Sequence, residues 1–120
     1  MIDKLAWTVL ALIHTLPALA FFVPALITRM YGVEQGTANF ALMHHRAALF
    51  IVIVALCIWS AFRPEVRLLS AVCVAFSMVS FVGIWWLSGS PSSIRSIAIA
   101  DIIGLPFLAA ALWSALRTVI

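Results

Sequence analysis

Apolar residues fall in four long runs, at residues 5–27, 40–62, 68–87 and 94–116, separated by short polar stretches. About 20 helical residues are needed to cross roughly 30 Å of hydrocarbon. Each run is therefore predicted to be a membrane-spanning α-helix. Length carries this reading more than periodicity, because lipid-facing and core-facing sides are both apolar. The expected architecture is all-α, a transmembrane antiparallel four-helix bundle. The connectors are short, and short connectors make neighbouring helices antiparallel. Residues 28–39 carry Arg29, Gly32, Glu34 and Gly36. Residues 63–67 form a tight turn in which Pro64 ends one helix and starts the next. Residues 88–93 are rich in serine, glycine and proline, and either terminal serine is placed to cap the last helix.

The first run also resembles a secretory signal, with Lys4 ahead of apolar residues and small residues at Ala18 and Ala20. The apolar run continues past them to Ile27, so it is read as a transmembrane helix. Pro17 and Pro24 interrupt this run, and Pro106 interrupts the last one beside Gly104. Each proline frees a carbonyl one turn earlier, which a neighbour or water must satisfy in lipid.

Composition narrows the class. The chain has 120 residues, 66% hydrophobic and 9% charged, where soluble domains average about 25% charged. No polar segment is long enough for a second domain, so residues 1–120 are one unit. The net charge of +3 comes from basic residues spread singly between the runs. That pattern anchors helix ends and is not a nucleic-acid footprint. Lys4, Arg63, Arg67, Arg117 and the terminal amine fall on one side, and Arg29 falls on the other, with Arg46 and Arg95 near or within the membrane. This bias places both termini in the cytoplasm, as a multi-pass protein of a bacterial inner membrane. Trp7, Trp59 and Trp113 are expected in one interfacial belt, and Tyr31, Trp85 and Trp86 in the other.

Candidate chemistry lies inside the runs. Asp101 sits in an otherwise apolar stretch between positions 97 and 113. A carboxylate there costs roughly 2.5–3.5 kcal/mol and needs a partner, a proton or water. At 1.5 Å per residue, Asp101 lies roughly 10 Å and Arg46 roughly 9 Å below the same boundary, with His14 near the midplane. An Arg46–Asp101 ion pair is therefore expected, with His45 or His44 alongside and His14 beneath. These five residues form the candidate ligand site. The same residues also satisfy a structural reading, in which the pair holds two helices in register, or Arg46 snorkels to the interface.

Ser70, Cys73, Ser77 and Ser80 share one face of the third helix and are expected to form a packing seam. Cys57 and Cys73 fall at similar depth, on the side where disulfides are disfavoured. Adjacent His44 and His45 point about 100° apart on a helix and do not easily share a metal. No metal site is predicted. There is no nucleophile elbow, zinc motif or phosphate loop.

The segments His45-Arg46-Ala47-Ala48-Leu49-Phe50, Ala61-Phe62-Arg63-Pro64 and Ala100-Asp101 resemble those of small four-helix bacterial membrane proteins of the DoxX-like group. Its name-giving members are associated with quinone-linked sulfur oxidation or redox complexes. The resemblance implies a four-helix bundle with Arg46 and Asp101 as its buried polar feature, and it transfers no reaction. The leading expectation is a protein that binds an amphipathic small molecule, such as a quinone, lipid or isoprenoid, between the first, second and fourth helices. The alternatives are a structural subunit of a larger membrane complex, a homodimeric proton-coupled transporter, and, ranked last, an enzyme with His14 or His45 as general base.

Overall fold

The computed structural model describes residues 2–119, and no strand occurs among the described residues. Five α-helices follow one another: α1 (Ile2–Leu19), α2 (Ala25–Tyr31), α3 (Ala38–Phe62), α4 (Arg67–Leu87) and α5 (Arg95–Val119). Short 3-10 turns at Pro64–Val66 and Ser92–Ile94 lead into α4 and α5. The four long helices are long and apolar enough to cross a membrane. The terminal amine at Met1, counted among the anchoring charges, lies outside the described residues.

The first apolar run is two helices rather than one. Pro17 is tolerated inside α1, but the chain turns after Leu19 and restarts behind Pro24. Proline cannot continue a hydrogen-bond ladder, yet its fixed φ suits the entry of a new helix. Gly32 closes α2 in the left-handed region, at φ 68°, and its N–H bonds Thr28 O at 2.9 Å. A proline before and a glycine after therefore bracket a seven-residue helix. α3 begins two residues earlier than expected. Thr37 caps it, with Oγ1 accepting from the Phe40 N–H at 3.1 Å. The expected serine cap near residue 92 is not made at the 3-10 turn, which follows Pro91 with no side-chain cap. Instead Trp85 Nε1 donates to Pro91 O at 3.1 Å and ties that loop to α4.

α1 is the hub. It packs most extensively on α3 and then on α5, α5 packs on α4, and α3 and α4 meet sparingly. The buried stripe of α1 runs through Ala6, Trp7, Leu10, His14 and Ala18 at helical spacing. That of α5 runs through Ala98, Asp101, Gly104, Leu108, Ala111 and Ala115. The small residues bring the α5 backbone close to its neighbours. At Gly104 the approach is tightest: an added Cβ would lie 2.7 Å from Ile13 Cδ1 and 2.8 Å from Met78 Cε.

Two expectations fail in this packing. Trp7 is fully buried beside Leu10 and Cys57 rather than placed in an interfacial belt. The seam on α4 is Ser70, Ala71, Val74 and Met78, while Cys73 is exposed. The helix turns its apolar Val74 and Met78 inward, which rotates Cys73 outward.

One end of the stack is locked by Arg67. Its Nε donates to Ser60 O at 2.7 Å and its Nη2 to Ala61 O at 3.2 Å. Both carbonyls belong to the last turn of α3, where acceptors lack helical partners and a cation meets the negative end of the helix dipole. Nη1 forms an ion pair with Asp3 Oδ2 at 3.2 Å, and both side chains are largely buried. Three helices are thus joined through one guanidinium.

Candidate functional site

The helix periodicity that builds the core also turns polar groups inward. His14 follows Leu10 by one turn on the buried stripe of α1, and Asp101 stands between Ala98 and Gly104 on that of α5. Both line a cavity of about 390 Å³ between α1, α2 and α5, with Phe50 of α3 at its back. Arg29 of α2 and Ser93 and Ser96 ahead of and within α5 complete its polar lining.

His14 is 1% exposed and its Nδ1 lies 2.8 Å from Leu10 O. A carbonyl only accepts, so Nδ1 carries the proton and neutral His14 keeps its lone pair on Nε2. Nε2 is buried and has no protein partner. Asp101 is 7% exposed and makes no hydrogen bond or ion pair among the described residues. A buried acceptor without a donor, His14 Nε2, and an Asp101 carboxyl with no protein partner therefore share one cavity wall, and the buried nitrogen is costly in a low-dielectric interior.

The expected Arg46–Asp101 ion pair is not formed. The ion pairs among the described residues are Arg63–Glu65 and Arg67–Asp3. Arg46 instead donates from Nη1 to Tyr31 Oη at 3.0 Å. Its guanidinium carbon lies 4.6 Å from the ring centre of Phe50, 4.8 Å from Phe81 and 5.7 Å from Tyr31. Three aromatic faces thus stabilise the cation in place of a carboxylate. The cause is α2, which carries Tyr31 back to α3. Burial pushes the Tyr31 hydroxyl above the ordinary phenol range, with the Arg46 charge acting the other way. Arg46 lines a second cavity of about 290 Å³ between α3 and α4.

The remaining histidines do not join His14. His44 Nε2 lies 3.0 Å from Phe21 O, so it donates there and pins the α1–α2 break to α3. His45 is exposed and lines neither cavity. Of the five expected site residues, His14 and Asp101 come together, Arg46 occupies the neighbouring groove, and His44 and His45 lie apart. Phe50 separates the two spaces, with its ring centre 5.7 Å from that of His14 on one side and Arg46 on the other.

Sequence reasoning missed Arg29, Tyr31 and Phe50. The Pro24 and Gly32 bracket was the available signal for the first two, since it marks a helix that returns residues 25–31 to the core. No family model, curated protein or solved structure matches this chain.

Proposed function

We propose that this is a small membrane protein whose four long helices cross the bilayer as an antiparallel bundle, DoxX-like in layout. Both termini lie in the cytoplasm, and the His14–Asp101 cavity binds a neutral amphiphile through a hydroxyl head. The many exposed large apolar side chains, among them Leu12, Leu42, Leu69, Phe76 and Trp86, support lipid contact around the outside. The observation that carries the site is that the buried His14 Nε2 has no partner and shares a cavity wall with the Asp101 carboxyl, which makes no ion pair among the described residues.

Two acceptors select a donor. A quinol or an isoprenoid alcohol presents O–H groups to both, whereas an oxidised quinone presents only carbonyl acceptors. Arg29, Ser93 and Ser96 supply donors for further oxygens on the same head. The apolar part of the ligand runs along Ile13, Pro17, Ile97 and Ala100. The cavity is lined by few polar groups on a mostly apolar wall, as small-molecule sites are.

The test uses purified protein in a non-ionic detergent, titrated with a short-chain prenyl quinol and with its O-methylated ether. The quinol raises the melting temperature and the ether does not. Asp101→Asn and His14→Leu each weaken quinol binding about tenfold, the worth of one buried hydrogen bond to a charged or orphaned acceptor. Equal binding of quinol and ether, or undiminished binding by both variants, overturns the reading.

A further inference from the structure

The groove on the far side of Phe50 has a different chemistry. Arg46 is the one charged residue in its lining, and Ser77 and Ser80 of α4 supply the other side-chain polar groups. A guanidinium has five N–H donors, and Arg46 uses one of them, toward Tyr31. No carboxylate among the described residues forms an ion pair with it. The aromatic rings satisfy its faces, not its edge. The edge of an arginine is the part that takes a carboxylate or phosphate in two parallel hydrogen bonds.

Beyond the guanidinium the lining is mainly apolar. Leu49 and Ile53 follow Arg46 along α3, and Phe81 and Phe76 line the facing side of α4. From Arg46 to Ile53 the groove descends about 10 Å along the helix. It stays open because α3 and α4 touch each other so little.

From these features we infer that the α3–α4 groove binds a single-chain carboxylate amphiphile, a long-chain fatty acid, with its head on the edge of Arg46 and its chain between the two helices. One guanidinium neutralises one negative charge. A phosphomonoester would keep a second charge with no cation in the groove, and a diacyl lipid would need room for a second chain. This site is separate from the His14–Asp101 cavity in position, with Phe50 standing between them, and unlike that cavity it has no acidic or histidine acceptor in its lining.

The experiment is native mass spectrometry of the protein in a maltoside detergent with palmitic acid, methyl palmitate or dioleoyl phosphatidylglycerol. The wild type binds the acid at least tenfold more tightly than the ester. Arg46→Gln abolishes that preference, while Asp101→Asn in the other cavity preserves it. Ser77→Phe, which fills the groove and leaves the guanidinium in place, displaces the acid and keeps the inference testable should Arg46→Gln fail to fold. Equal binding of acid and ester, retained preference in Arg46→Gln, or unchanged acid binding in Ser77→Phe overturns the site. Loss of the preference in Asp101→Asn moves it to the other cavity, and preferential uptake of the diacyl lipid overturns the single-chain assignment.

Discussion

Arg67 and Arg46 are both partly buried arginines in the same small helical stack, and their surroundings are opposite. Arg67 is held at every nitrogen: two carbonyls at the end of α3 and the Asp3 carboxylate take three of its five N–H donors, one from each nitrogen. Arg46 has one hydrogen bond and three aromatic rings. A guanidinium whose edge is filled by the protein holds helices together. One whose faces are filled and whose edge is free is positioned for something else. The comparison separates structural charge from available charge within one chain, without appeal to depth or spacing.

The contrast is broken most directly at Arg67. Arg67→Ala leaves Asp3 without its cation and the last carbonyls of α3 without their cap, and is expected to cost about 3 kcal/mol. Denaturant titration in detergent measures this, and a loss below that of Arg46→Ala would reverse the assignment of roles. The next largest effect tests whether packing, rather than charge, holds α5 against α1 and α4. Gly104→Val forces Ile13 and Met78 aside and should cost about 2 kcal/mol by overpacking, read from the same titration. Gly104→Ala should cost less, since both obstructing atoms are the ends of flexible side chains.

Arg46→Ala should cost about 1 kcal/mol, the worth of one hydrogen bond and a partly desolvated cation–π contact. A cost as large as that of Arg67→Ala would make Arg46 a structural residue after all. The smallest effect is spectroscopic. Tyr31 is the one tyrosine of the chain, so tyrosinate absorbance reports it alone. Its titration midpoint lies above the ordinary phenol value because the ring is buried, and it rises further in Arg46→Ala, where the opposing positive charge is gone. A folded-state pKa raised in this way favours the protonated fold. Stability is full below the unfolded phenol pKa and falls as pH climbs through it toward the shifted value. An ordinary midpoint, or a downward shift in Arg46→Ala, would show that Arg46 and Tyr31 are not in contact.

Much of the fold was legible because run length alone predicts a spanning helix. The second, third and fourth runs became α3, α4 and α5 with ends shifted by a few residues. The first run did not, since Pro24 divides it, and apolar character continues across that break from α1 into α2. His14 and Asp101 were grouped from the sequence by depth alone, and the inward stripes of α1 and α5 are what bring them to one cavity. The Arg46–Asp101 pairing did not follow, because depth does not specify direction around a helix. Tyr31, 15 residues before Arg46, reaches it through a helix that was read as a connector. Arg67 and Asp3 are 64 residues apart. Arg67, as an isolated charge at the end of a run, looked like an interfacial anchor, and only the packed helices bring it against Asp3.

Phe50 gives the two compartments a common wall one ring thick. A guest that pushes the ring from the histidine side presses it toward the arginine, and a guest on the arginine side presses it back. A change in this one side-chain torsion would therefore alter the shape of both chambers at once, without any hinge.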